Sequence, residues 1–259
     1  MSAREARPIA SPVVDLNVVE SGTGDDLVLL VHGVLDSGRS FRKVTELLAG
    51  ECRMLTYDRR GYGESTDAAA EPADVAGHVD DIITILDGRR AVVVGHSFGG
   101  VIAGGAAARA PELVEAVVLF ESGMAWTPGW DDTTMRAMLG SGDPVEAGLR
   151  LMLGEQLDTI SAEKLEHLRR QARAFVGEES STRIAQRPPY DFADITVPLV
   201  YAVGDAMVPS PFTAIETHLS AVIDDVTIVR MPGAGHNAHR THPEEFADLV
   251  RLALAKRRR

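Results

Sequence analysis

Short, uniformly apolar runs alternate along this chain with longer segments in which apolar residues recur every three or four positions. Leu27–Val31 and Ala91–Val94 contain no polar residue, the pattern of strands buried on both faces of a parallel sheet. Arg53–Tyr57, Val114–Phe120, Leu199–Val203 and Val226–Val229 predict further strands, and the partly alternating Val13–Val19 predicts an edge strand. Between them, Asp74–Leu86 sets Val75, Val79, Ile82, Ile83 and Leu86 on one face of a helix. Ser40–Leu48, Phe98–Ala108, Ala214–Val222 and Pro243–Ala255 complete the helical segments. Strand and helix in alternation imply an α/β fold, a mostly parallel central sheet flanked by helices.

The rhythm breaks between Gly123 and Tyr190. Only helical patterns occur there, over Thr133–Leu139, Val145–Leu153 and Ala162–Phe175. Connections beyond about 15 residues are uncommon within a compact domain, so residues 123–190 are expected to form a helical cap, or lid. The core would then comprise residues 1–122 and 191–259. At 259 residues one domain or two would fit, and a core with an insertion reconciles the two.

Composition narrows the partners. Lys and Arg number 26 against 38 Asp and Glu, a formal charge of −12, which disfavours binding to nucleic acid. The basic run Lys256-Arg257-Arg258-Arg259 reads as a solvated helix end. No stretch approaches 18 uncharged apolar residues, so no membrane-spanning helix is expected. The first twelve residues carry Arg4, Glu5 and Arg7 without an apolar run, so no signal peptide is expected. The single cysteine, Cys52, lies in an apolar stretch and suits a reducing, cytoplasmic setting. Composition says nothing of oligomeric state.

One motif carries chemistry. Gly95-His96-Ser97-Phe98-Gly99 fits G-x-S-x-G between a predicted strand and a predicted helix. A serine on such a turn is lifted above the sheet at a helix N-terminus, and the flanking glycines relieve the crowding. The loop is not a phosphate cradle, because no Lys-Ser/Thr pair follows the glycines.

With His32-Gly33 at the end of the Leu27–Val31 strand, Asp58-Arg59-Arg60-Gly61-Tyr62-Gly63-Glu64-Ser65, the Gly-His-Ser-Phe-Gly-Gly turn and Gly233-Ala234-Gly235-His236, the chain resembles the α/β-hydrolase family over nearly its whole length. The resemblance implies that Ser97 is a nucleophile and that the backbone N–H groups of Val34 and Phe98 form an oxyanion hole. Serine in place of aspartate at the turn disfavours the epoxide-hydrolase and haloalkane-dehalogenase chemistries of this fold.

His236, in a glycine loop after the last strand, is where the general base belongs. Its acid has two candidates. Asp205, in Gly204-Asp205-Ala206-Met207-Val208-Pro209, keeps the family's spacing to proline, but its loop is two residues shorter between the glycine and the acid. Glu121 directly follows Val117-Val118-Leu119-Phe120, where a carboxylate is unexpected without a partner. The shortened loop and the burial argument favour Glu121. His239 and His242 complete an H-x-x-H-x-x-H pattern for which no metal is expected, nor any cofactor. His96 reads as a packing residue, and His78, His167 and His218 as solvated helix-face residues.

Trp126 and Trp130, just beyond the expected cap hinge, and Met138 are candidate substrate contacts. The expectation is a serine hydrolase for a small, largely neutral carboxylic ester or lactone, acting through an acyl-enzyme. Carbon–carbon bond hydrolysis, a perhydrolase-like reaction, or non-catalytic binding in the same pocket are the alternatives.

Overall fold

The computed structural model describes residues 9–10, 15–65, 74–183, 188–206 and 210–257. Its chain order is β1 (Ile9–Ala10), β2 (Asp15–Leu16), β3 (Val18–Gly22), β4 (Leu27–Val31), α1 (Arg42–Leu48), β5 (Arg53–Tyr57), α2 (Val75–Leu86), β6 (Ala91–His96), α3 (Phe98–Arg109) and β7 (Val114–Phe120). There follow α4 (Thr133–Leu139), α5 (Pro144–Leu153), α6 (Ala162–Arg183), β8 (Leu199–Gly204), α7 (Thr213–Val222), β9 (Val226–Met231), α8 (Ala238–Thr241) and α9 (Pro243–Lys256). β1 and β2 pair with each other. The other seven strands form one sheet in the order β3-β5-β4-β6-β7-β8-β9, with β3 antiparallel to β5 and the remaining pairs parallel.

The apolar runs are strands because both of their faces are covered. Along β4, Leu27, Leu29 and Val31 join the cluster beneath α2 and α3, while Val28 and Leu30 join the one beneath α1 and α9. β6, β7 and β8 divide in the same way, so each strand contributes to two cores. Full burial of each such side chain is worth about 1.5–3 kcal/mol.

Two sequence expectations shift at the sheet edge and in the helices. The edge strand expected over Val13–Val19 is divided, because Asn17 N–H donates to Ser65 Oγ (2.9 Å) instead of a strand partner; Val13 and Val14 lie outside the described residues. The helix expected to end at Phe175 continues as α6 to Arg183. Its last turns look polar in sequence, yet Glu178, Glu179 and Arg183 are buried there.

Between β7 and β8 the described residues form helices and no strand. α5 and α6 enclose a small apolar cluster of Leu149, Leu157 and Ala172, against which Leu35 of the β4–α1 loop also packs. α6 meets the core closely: a Cβ placed on Gly61 (φ +82°) would lie 2.6 Å from the Ala174 methyl. Among the described residues no helix is long and apolar enough to cross a membrane.

Candidate active site

Ser97 joins β6 to α3 with φ +54° and ψ −125°, a conformation that costs a non-glycine residue about 1–3 kcal/mol. The surrounding glycines make it possible. A Cβ on Gly95 would lie 2.3 Å from Gly99 O, and one on Gly99 would lie 2.2 Å from Val31 O. Ser97 N–H is anchored to Phe120 O (2.8 Å). Phe98, the first residue of α3, has no intrahelical acceptor for its N–H. Leu35 (φ +50°) and Glu121 (φ +44°) are also in the left-handed region, so three of the four such non-glycine residues described stand on loops at the C-terminal ends of β4, β6 and β7.

Glu121 begins the turn after β7 and is almost wholly buried, at 3% exposure. Its Oε2 lies 2.7 Å from His236 Nδ1, and its Oε1 accepts the Gly204 N–H at 2.9 Å. A carboxylate only accepts, so His236 carries its proton on Nδ1 and leaves the Nε2 lone pair free. Gly204 has to be glycine for this meeting: a Cβ there would lie 2.0 Å from Ala234 O of the histidine loop. Asp205 is exposed, and its Oδ1 accepts from Gly233 N–H at 2.5 Å, at the base of the same loop. Met207–Pro209, the rest of the second acid motif, lie outside the described residues. Thus the loop holding His236 touches both candidate carboxylates, but the imidazole bonds to Glu121.

His96 completes the support. It is buried, its Nε2 donates to His236 O at 2.7 Å, and its ring lies 4.7 Å from that of His236. Burial, with the neighbouring His239 and His236, pushes its pKa well below the ordinary imidazole range, so it is a neutral donor that fixes the histidine loop. His239 is fully buried against His96 and Asp36, and His242 Nδ1 faces Thr241 Oγ1 at 2.9 Å. The three histidines of the H-x-x-H-x-x-H run therefore diverge. Asp36, His96 and His239 do come together, their nearest polar atoms within 4.8 Å. However, His96 commits Nε2 to a carbonyl, and the His96 and His239 rings pack at 4.4 Å between centroids.

The β4–α1 loop approaches Ser97 from the other side. A Cβ on Gly33 would lie 3.1 Å from Ser97 Cβ, so Gly33 backs directly onto the serine and Val34 follows it. His32 is buried, with Nδ1 2.7 Å from Gly33 O and Nε2 accepting the Arg59 N–H at 2.9 Å. Burial and the Arg59 charge lower its pKa to about 4, so it is neutral with its proton on Nδ1.

The aromatic candidates are divided. Trp130 packs on Phe212 (5.7 Å between centroids) and against Gly123, two residues beyond Glu121. Trp126 stacks on Phe192 (5.5 Å) and meets Tyr190 edge-on (5.1 Å), at a cavity of about 420 Å³ also lined by Pro128, Pro188, Asp191 and His218. Met138 is buried beside Gly148 and Phe175, inside the α4–α6 group. His78 corrects an expectation outright. It is fully buried, its Nε2 2.7 Å from Glu178 Oε1, because α6 covers the face of α2 that had read as solvated. Sequence reasoning also missed Glu178 as a buried partner and Gly204 as a donor to Glu121, since neither contact is local in sequence.

Comparison with known proteins agrees with this architecture. Residues 28–249 match the family model described as the alpha/beta hydrolase family. Lipase LipV of Mycobacterium tuberculosis is 29% identical over 95% of this chain and 100% of its own length. Pimeloyl-[acyl-carrier protein] methyl ester esterase of Yersinia enterocolitica is 25% identical over 88% of this chain and 93% of its own. A thermophilic esterase from Thermogutta terrifontis shares the fold with a TM-score of 0.71 and 21% identity, covering 98% of this chain and 99% of that one. With its parallel sheet, its serine turn after β6 and a model match spanning most of its length, the chain belongs to the alpha/beta hydrolase family and is an enzyme of that fold.

Proposed function

We propose that the protein is a serine hydrolase that cleaves small, largely neutral carboxylic esters or lactones through an acyl-enzyme. Ser97 attacks the carbonyl carbon while His236 Nε2 takes its proton, and Glu121 orients the imidazole and stabilises its cation. The Val34 and Phe98 N–H groups receive the developing oxyanion. His236 then gives its proton to the departing alcohol, and water attacks the acyl-enzyme by the same route in reverse.

The observation that carries this reading is the 2.7 Å contact of Glu121 Oε2 with His236 Nδ1. It fixes the imidazole tautomer that a general base requires. Relatives named lipase and methyl ester esterase favour ester substrates. We read residues 123–190 as a cap, with Trp130 and Trp126 on its hinge side as candidate walls for the substrate; Met138, buried within the helices, would shape that wall indirectly.

A fluorophosphonate probe tests the nucleophile. Covalent labelling of wild-type protein that is lost in Ser97→Ala is the expected result, and absence of labelling in active-site-competent, folded protein refutes it. A chain-length series of p-nitrophenyl esters then sizes the acyl pocket.

A further inference from the structure

The fully buried Arg59 reaches two consecutive carbonyls of the β4–α1 loop beside Ser97, those of His32 and Gly33. Its Nε donates to His32 O (2.9 Å), its Nη2 to Gly33 O (3.0 Å), and its backbone N–H to His32 Nε2 (2.9 Å). That last bond holds the His32 proton on Nδ1, from which it is donated to Gly33 O at 2.7 Å. Two donors thus converge on a single carbonyl. In a planar trans peptide the C=O and the following N–H point in opposite directions. Pinning the Gly33 carbonyl toward Arg59 therefore turns the Val34 N–H away from Arg59, on the loop that backs onto Ser97. Val34 N–H has no acceptor among the described residues.

Arg59 is itself held from the inserted helices. Both its Nη atoms reach the carboxylate of Glu178 on α6, which also accepts from Tyr62 Oη (2.7 Å) and lies 2.7 Å from His78 Nε2. All four side chains are fully buried. Burial alone would raise the Glu178 carboxyl, but Arg59 and His78 together hold it below the ordinary range, so it is charged. Leu35, two residues after Gly33, packs on the α5–α6 cluster as well. The inserted segment therefore grips the loop through a salt bridge and through an apolar contact.

Resting on the serine-hydrolase reading above, we propose that Arg59 is the positioning residue of the oxyanion site: its guanidinium sets the orientation of the Gly33–Val34 peptide, and Glu178 of the inserted segment holds the guanidinium in place. Assembly of the oxyanion site is thereby coupled to docking of α6. An enzyme whose inserted helices lift away would keep its nucleophile and base but lose one oxyanion donor.

Arg59→Lys tests this, since lysine keeps the charge facing Glu178 but has no planar fork to span two carbonyls and a carboxylate. Arg60→Lys is the control, because Arg60, the next residue along, makes a bidentate pair with Asp81 and touches neither carbonyl. The readouts are kcat and KM on p-nitrophenyl acetate per fluorophosphonate-titrated site, affinity for an aryl trifluoromethyl ketone, and the peptide orientation in a crystal structure of the variant. Arg59→Lys is expected to lower kcat about 100-fold with KM within about threefold, the scale of a lost oxyanion donor. Ketone affinity should fall in parallel, with the Gly33–Val34 peptide rotated. A purely structural role would lower the melting temperature and the titratable fraction while leaving kcat per titrated site unchanged, and that result overturns the proposal. So does a variant crystal with the peptide in place. Should Arg59→Lys not fold, Glu178→Gln is expected to give about a tenfold loss of kcat at unchanged KM, and full kcat there overturns it. Wild-type protein that fails to label at Ser97 would instead refute the hydrolase reading, and the peptide orientation in the variant crystals would still judge the role of Arg59.

Discussion

Exchanging Glu121 for glutamine keeps the shape of the side chain and turns one of its two oxygens into an NH2 group. In the native site both oxygens accept, Oε1 from Gly204 N–H and Oε2 from His236 Nδ1–H. The amide can satisfy only one of these donors. With its NH2 toward Gly204, two donors meet in a buried site, which costs about 1–3 kcal/mol of stability. The imidazole then keeps its tautomer but loses the charge that stabilises its cation, worth about 4 kcal/mol for unit charges near 4 Å at an effective dielectric of about 20. With its NH2 toward His236, the amide drives the imidazole proton to Nε2 and removes the lone pair that would accept the Ser97 proton. Either arrangement lowers kcat by about 10³, since 1.36 kcal/mol is tenfold, and leaves KM nearly unchanged. The assay is initial-rate hydrolysis of p-nitrophenyl acetate, normalised to folded protein by circular dichroism. Asp205→Asn, which among the described residues alters an exposed contact to Gly233 N–H, is expected to cost less than about tenfold. Retention of more than a tenth of kcat by Glu121→Gln, or a larger loss in Asp205→Asn, refutes the assignment.

Acid should destabilise the fold through its buried histidines. His32, with burial as the main cause, titrates near pH 4 when folded and near 6.5 when unfolded. Between those values the unfolded chain binds more protons, so stability is lost as pH falls, about 3 kcal/mol of it by pH 4. His78, His96 and His239 are lowered too, chiefly by burial, and act in the same direction; urea midpoints that stay flat from pH 7 to 5 would contradict this. Gly95→Ala puts a methyl 2.3 Å from the Gly99 carbonyl and 2.4 Å from Gly100 Cα, backbone atoms with no side chain to yield. It is expected to destabilise by about 1–3 kcal/mol and reduce probe labelling, and wild-type melting and labelling together would count against the tight turn. Cys52 is buried, and burial raises its thiol to about 11. Native protein at pH 8 should therefore react with Ellman's reagent about 100-fold more slowly than urea-unfolded protein, and rapid native labelling would show that the core under α1 and α9 opens.

The parts of this fold that local pattern reveals are those whose burial is apolar. β4, β6 and β8 are flanked on both faces, so their burial appears as the apolar runs Leu27–Val31, Ala91–Val94 and Leu199–Val203, and the serine turn appears through the glycines its crowding demands. Charge that is buried against a distant charge leaves no such trace. Glu178 looks like part of a solvated helix end, and it is Arg59, Tyr62 and His78, 119, 116 and 100 residues away in sequence, that make its burial tolerable. The helix boundary at Phe175 and the exposed reading of His78 fail together for that one reason. The acid shows the intermediate case. A glutamate ending an apolar strand signals that it needs a partner, but whether Glu121 or Asp205 meets the imidazole depends on how closely the β8 end and the histidine loop can nest. That closeness rests on Gly204, where any side chain would strike Ala234 O. In sequence this glycine is merely the start of a familiar motif. In the fold it lets a backbone N–H and an imidazole share one carboxylate, so the missing information was a distance between loops and not the identity of any residue.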